Sequence, residues 1–226
     1  MNSFSLMIMC AGFGSRMLDL TKNKPKPLLE IKNITLLENS INFFFSIGCN
    51  RIFINTHYLY KDIENFIKKN FKDYPISLVY EPVILGTGGG IKNIFNFTKK
   101  ENILVSNSDI FWQDKNKKDI INFARDINDI KNCKLLLSKE KNFLGLKSSN
   151  GDFRIINNKV SRWTKEDEII FYSGLQIVSP NIFKNTTNIF PMNTIWDNLI
   201  KQNNLMGEVI DSKITHIGDK KSFEEN

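Results

Sequence analysis

The sequence is poor in the residues that build disulfide frameworks and membrane spans. Its three cysteines, Cys10, Cys49 and Cys133, stand apart, are odd in number and show no Cys-x-x-Cys spacing. That excludes a paired-disulfide scaffold and fits reduced, buried thiols. No apolar run approaches membrane-spanning length, and no cationic stretch leads into a cleavable apolar one at the amino end. A cytoplasmic protein with no membrane contact is the expectation. Arginine-rich blocks are also missing: the net charge of +7 comes from lysines spread along the chain, often beside asparagine. Nucleic acid is therefore not an expected partner, although phosphorylated substrates would profit from the same bias. Hydrophobic content of 41% and charged content of 24% exclude disorder, and 226 residues suit one substantial domain spanning 1–226, as a monomer or small homo-oligomer.

What is present begins with alternation. Short apolar runs at 5–10, 51–55, 76–80 and 102–106 read as strands, and amphipathic stretches at 36–47, 60–71 and 88–97 as helices. Strands separated by helical segments predict an α/β fold, a Rossmann-like mostly parallel sheet flanked by helices. Ligands of such sheets gather at the carboxyl ends of the strands. Three polar features fall there: the glycine loop after Cys10, the run Gly86-Thr87-Gly88-Gly89-Gly90, and Asn107-Ser108-Asp109. The second half is less regular. A helix is expected at 114–130, strands at 134–138 and 169–178, and a short helix at 194–202. A hairpin at 152–156 and 159–163 turning at Asn157-Asn158 and a β segment at 208–217 complete a small antiparallel insertion.

The glycine loop is the most informative segment. An apolar strand empties into Ala11-Gly12-Phe13-Gly14-Ser15-Arg16, and Lys26 follows between Pro25 and Pro27. Without Cβ atoms, backbone N–H groups can approach a phosphate closely. It is not a dinucleotide fingerprint, because Met17 stands where a third glycine would be, and no Gly-Lys-Ser/Thr follows to make a Walker loop. Two cations beside such a loop can hold a polyphosphate while its charge rearranges, which points to chemistry on a nucleoside triphosphate.

The whole string, Ala-Gly-x-Gly-x-Arg-Met, Leu20-Thr21 and Pro25-Lys26-Pro27-Leu28, resembles the opening of the sugar-nucleotidyltransferase (nucleoside-diphosphate-sugar pyrophosphorylase) family, and the resemblance extends over essentially all of the chain. It implies a glycosyltransferase-A-like nucleotidyltransferase fold and in-line attack by a sugar 1-phosphate on the α-phosphorus of a nucleoside triphosphate. Arg16 would hold the β- and γ-phosphates, and Lys26 the α-phosphate or the sugar phosphate. Ala11, Gly12, Gly14, Thr87 and Gly88 would contact the nucleotide. Asn107 and Gly174 would face the sugar, and Asp109 would ligate Mg²⁺, a hard cation suited to carboxylate and phosphate oxygens. The chain departs from the family near its end, where His216 in Thr215-His216-Ile217-Gly218 replaces the usual second aspartate. Either His216 assists a Mg²⁺ site built on Asp109, or the preference has moved toward Mn²⁺, which accepts imidazole better. Asp219 is expected to face elsewhere, Cys10 to be core, and His57 to order a loop. The Thr-Gly-Gly-Gly run and the segment Phe190-Pro191-Met192-Asn193 with Trp196-Asp197 resemble the N-acetylmuramate 1-phosphate uridylyltransferases, which implies UTP as donor and a role in cell-wall recycling. Hexose or heptose guanylyl- and thymidylyltransferases, and a non-catalytic nucleotide-binding relative, are the alternatives.

Overall fold

The computed structural model describes residues 3–98, 101–146 and 148–226. In chain order the strands are β1 (Phe4–Cys10), β2 (Glu30–Ile31), β3 (Ile34–Thr35), β4 (Cys49–Thr56), β5 (Ile76–Tyr80), β6 (Ile103–Asn107) and β7 (Ile110–Phe111). They continue as β8 (Cys133–Lys139), β9 (Phe143–Leu144), β10 (Phe153–Ile156), β11 (Lys159–Arg162), β12 (Ile170–Val178), β13 (Leu205–Ile210) and β14 (Ile214–His216). The α-helices are α1 (Leu36–Ser46), α2 (Tyr60–Asn70), α3 (Gly86–Ile94), α4 (Lys117–Ala124), α5 (Asn193–Lys201) and α6 (Lys220–Glu224).

Nine strands form one sheet in the order β10-β11-β13-β8-β12-β6-β1-β4-β5. From β6 to β5 every pairing is parallel, and in the sheet as a whole only β12 and β11 run against the rest. The alternation of strand and helix in the first half therefore produced the mostly parallel sheet it predicts. Strand β1 has β4 on one side and β6 on the other, so the loop after it opens at the middle of the sheet. Its residues are apolar almost throughout because both faces are covered, with Leu6 and Ile8 in one core layer and Met7 in the other. The small antiparallel element is the β10–β11 hairpin, where Asn157 and Asn158 supply the positive φ of a tight two-residue turn.

Two expectations need correction. The helix expected over 114–130 is broken: only α4 is α-helical, between single 3₁₀ turns at Asp114–Asn116 and Ile127–Asp129. The Asn102 side chain donates to the carbonyls of Ile127 and Ile130, drawing the backbone away from its helical partners. The β segment expected over 208–217 is two strands, β13 in the large sheet and β14 in a three-stranded sheet with β7 and β9. The break is fixed by side chains. Asp119 accepts from Ser212 N, and Asn116 donates to Ser212 Oγ and Lys213 O. That break carries the chain back to β7, the strand that follows Asp109.

Behind β7, Phe44 is fully buried edge-on to Trp112, and Phe43 stacks on the same indole at 5.5 Å. The Phe43-Phe44-Phe45 run is thus core. Replacing Phe44 with alanine should cost about 3–5 kcal/mol of stability, read as a lower midpoint in urea unfolding.

Candidate active site

A cavity of about 410 Å³ opens at the carboxyl ends of β1, β4, β5 and β6. Ala11, Gly12, Gly14, Arg16, Lys26, Thr87, Asn107 and Asp109 all line it, so the structure brings together most of the residues singled out from sequence. After β1 the chain turns at Gly14, whose φ of +68° suits glycine, and a Cβ there would press on the Lys26 and Thr21 side chains at 3.1 Å. The following 3₁₀ turn is anchored by fully buried Met17, which leaves its neighbour Arg16 exposed at the cavity mouth. Extended Pro25 and the turn Lys26–Leu28 place Lys26, buried, on the cavity wall.

Lys26 Nζ donates to Asp109 Oδ2 at 2.8 Å and to the Gly218 carbonyl at 3.3 Å. His216 Nε2 stands 3.5 Å from the same carboxylate oxygen. Burial would raise the Asp109 carboxyl, but the Lys26 ammonium and the His216 imidazole outweigh it and hold the group well below the ordinary carboxylate range. Asp109 Oδ1 is buried without a protein partner, as is His216 Nδ1. A carboxylate that lines the cavity and has one oxygen spare fits a hard divalent cation completed by substrate oxygens. Asp219 does not join it. Its carboxylate accepts from Ser222 N at 2.8 Å and caps α6, while remaining in electrostatic reach of His216 and Arg16.

Two polar positions of the cavity lining, Asn55 and Glu81, were not among the residues singled out from sequence. The Asn55 amide oxygen accepts from Cys10 N at 2.9 Å, and its nitrogen donates to Glu81 Oε1 at 2.8 Å. Glu81, almost wholly buried, also accepts from Leu85 N. This chain of bonds ties the ends of β1, β4 and β5 together on the cavity wall beside Thr87. The signal was available: both are polar residues directly at or after apolar strands, the positions where the other site residues were found. His57 Nδ1–H donates to the Glu81 carbonyl at 2.7 Å, the loop-ordering role expected of it. Cys10 is buried and its thiol is pushed far above its ordinary range by that burial, consistent with core packing.

Two of the expected nucleotide and sugar contacts, Gly88 and Gly174, lie outside the cavity lining. A Cβ on Gly88 would strike the Phe190 ring at 2.3 Å, so this glycine admits Phe190, whose carbonyl accepts from the N–H groups of Gly88 and Gly89. Gly174, at φ +84°, sits at the irregularity in β12 against Ile110 and Asn107. It buttresses the segment that carries Asn107 and Asp109. His216 is likewise behind the lining, reaching the cavity through Asp109.

The Tyr58 hydroxyl lies within 2.9 Å of the Thr21 carbonyl and 2.8 Å of the Lys22 carbonyl, and its ring carries exposed Phe13. One side chain thereby pins both ends of the glycine-rich segment.

Comparison with known proteins agrees with this geometry. The nucleotidyl transferase family matches residues 5–154. The chain is 31% identical over 144 residues to the D-glycero-alpha-D-manno-heptose 1-phosphate guanylyltransferase of Campylobacter jejuni, 64% of this chain and 58% of that one. It thus spans little more than half of that relative. A second relative matches nearly end to end: the N-acetylmuramate alpha-1-phosphate uridylyltransferase of Caulobacter vibrioides is 25% identical over 222 residues, 94% of this chain and 91% of that one. Among solved structures, HddC from Yersinia pseudotuberculosis complexed with GMP-PN superposes with a TM-score of 0.78 at 19% identity, covering 98% of this chain and 97% of that one, a likeness of fold. Among the described residues no helix is long and apolar enough to cross a membrane.

Removing the Tyr58 hydroxyl with Tyr58→Phe should raise amide hydrogen exchange in the segment before Lys22 by about tenfold, the worth of one lost hydrogen bond, with the sheet core unchanged. Native thiol titration should find all three cysteines unreactive until the protein is unfolded, since each is buried and Cys49 is pushed up to about 12.

Proposed function

This chain belongs to the nucleotidyl transferase family, and from that premise we propose that it transfers a nucleoside monophosphate from a nucleoside triphosphate to a sugar 1-phosphate, releasing pyrophosphate. The observation that carries this reading is the convergence of the glycine loop, Arg16, Lys26 and Asp109 on one cavity. In the reaction a sugar-phosphate oxygen bonds to the α-phosphorus, and the bond from that phosphorus to the β-phosphate oxygen breaks, sending its electron pair to pyrophosphate. Two anions must meet, and negative charge then grows on the leaving group, so fixed donors and cations are what the site must provide. Backbone N–H groups of the glycine loop face the phosphates. Arg16, exposed at the cavity mouth, holds the β- and γ-oxygens. Lys26, already confined by its prolines and by Asp109, turns its ammonium to the α-phosphate and the incoming sugar phosphate. A divalent cation, when bound, bridges phosphate oxygens and neutralises their charge, and Asp109 would hold it through its spare oxygen. Mg²⁺ is the default ion for that role, with Mn²⁺ as the variant.

For the substrates, the end-to-end relative supports UTP with N-acetylmuramate 1-phosphate or a similar amino sugar, a cytoplasmic step in cell-wall recycling. A second reading, guanylyl transfer, is supported by the Campylobacter relative, a heptose 1-phosphate guanylyltransferase.

Incubation with each nucleoside triphosphate and a panel of sugar 1-phosphates, with pyrophosphate release recorded, tests both. Turnover with UTP and an amino sugar is expected. Turnover with GTP alone would install the second reading, and no release with any pair would overturn the enzymatic one. Arg16→Ala and Lys26→Ala should each lower kcat by about 10²–10³-fold while leaving the melting temperature of the free protein nearly unchanged for the exposed Arg16.

A further inference from the structure

Resting on the reading above, we propose that Lys92 is a positioning residue for the nucleotide: it clamps the segment 186–192, and that segment sets where the Thr87 hydroxyl stands on the cavity wall. The glycine run that opens α3 reads as a cradle for a base or ribose, yet its vacancies are filled from within the chain. A Cβ on Gly86 would come to 2.8 Å from the Phe190 carbonyl oxygen. One on Gly88 would strike the Phe190 ring, and one on Gly89 the Asn188 carbonyl. Backbone without Cβ atoms therefore admits a strap of protein here. Of the residues of α3, Gly86 and Thr87 line the cavity.

The strap is bonded to α3 along its length. Phe190 N donates to the Leu85 carbonyl at 3.0 Å, and the Phe190 carbonyl accepts from Gly88 N at 3.0 Å and Gly89 N at 3.1 Å. Those amides belong to the first helical turn, where intrahelical acceptors run out, so the strap caps the helix. Met192 N then donates to Thr87 Oγ1 at 2.7 Å. That bond takes one lone pair of the hydroxyl and holds the side chain in one orientation, leaving its proton for an acceptor on a bound nucleotide.

Lys92 secures the other end of the strap. Its Nζ donates to the carbonyls of Thr186 and Thr187 at 2.8 and 2.9 Å and to Asn188 Oδ1 at 3.1 Å. All three protons of one ammonium are engaged by three consecutive residues, and bonds from a charged donor are stronger than neutral ones. Beyond Met192, Arg162 continues the anchorage by donating to Asp197 Oδ1 at 2.8 Å and Asn193 Oδ1 at 3.0 Å. The motif from Phe190 to Asp197 is thus the body of the strap. With the clamp released, the nucleotide would have to order Thr87 as it binds, and that ordering weakens affinity.

Calorimetric titration with non-hydrolysable UTP and GTP analogues reads the effect without turnover. Lys92→Met keeps the aliphatic stem and removes the ammonium. It should weaken binding of whichever analogue the wild type takes by about tenfold, the worth of one lost hydrogen bond, and Lys92→Arg should restore most of it. In turnover the loss should fall on KM for the nucleoside triphosphate, with kcat and the KM of the sugar 1-phosphate unchanged. Because the effect runs through Thr87, Lys92→Met should cost nothing further in a Thr87→Val protein. Unchanged affinity in folded Lys92→Met, or additive losses in the double variant, overturns the proposal and leaves the catalytic reading standing. Amide exchange in the wild type needs no variant to fold. Bound nucleotide should slow exchange at Phe190 and Met192, which lie outside the cavity lining, by about tenfold, and no change there overturns the proposal as well. If neither analogue binds and no nucleotide and sugar pair releases pyrophosphate, the catalytic reading falls and takes this proposal with it.

Discussion

The contact between Lys26 and Asp109 is the constraint on which the site depends. It joins residues 83 apart in sequence, buried Lys26 from a proline-stiffened turn and half-buried Asp109 from just past the end of β6. A buried ion pair contributes little net stability, since desolvating both charges offsets much of their attraction, yet deleting one partner strands the other. Its value here is positional. It keeps a cation at the centre of the cavity in the free protein and keeps Asp109 ionised, so neither group must be assembled when anions arrive.

The remaining architecture serves that placement. Four parallel strands end on one line, and the polar side chains at those ends are bonded to one another through Asn55 and Glu81 instead of depending on loop conformation. The second half contributes support. The irregular stretch of β12 seats Gly174 under Asn107, the break between β13 and β14 returns the chain to β7, and Gly218 offers its carbonyl to Lys26. The second half thus determines where the residues lining the cavity can stand.

Much of the parallel half was legible because its signals are local: apolar runs of strand length, glycines where the backbone must turn, polar residues at strand ends. The Ile76–Tyr80 strand matches its expected limits, and the glycine loop, Arg16, Lys26 and Asp109 converge as the motif implies. What escaped was set by distant side chains. No local pattern near 127 says that Asn102 will take the carbonyls of a helix end, and none near 211 says that Asp119 and Asn116 will break a strand. Gly88 illustrates the same limit: a glycine in a glycine run reads as a ligand contact, but the vacancy it leaves is filled by a phenyl ring a hundred residues on. Asn55 and Glu81 were readable in kind, as strand-end polar residues, but their bond to each other is visible only once β4 and β5 are side by side.

The bond from Lys26 to the Gly218 carbonyl has a consequence for how the protein is made. These groups are 192 residues apart, so the lysine gains this second partner only after the segment following β14 has left the ribosome. The amino-terminal half, emerging first, can fold its parallel layer during synthesis. Through that interval Lys26 has only its Asp109 partner, and the part of the cavity wall that Gly218 supplies is still missing.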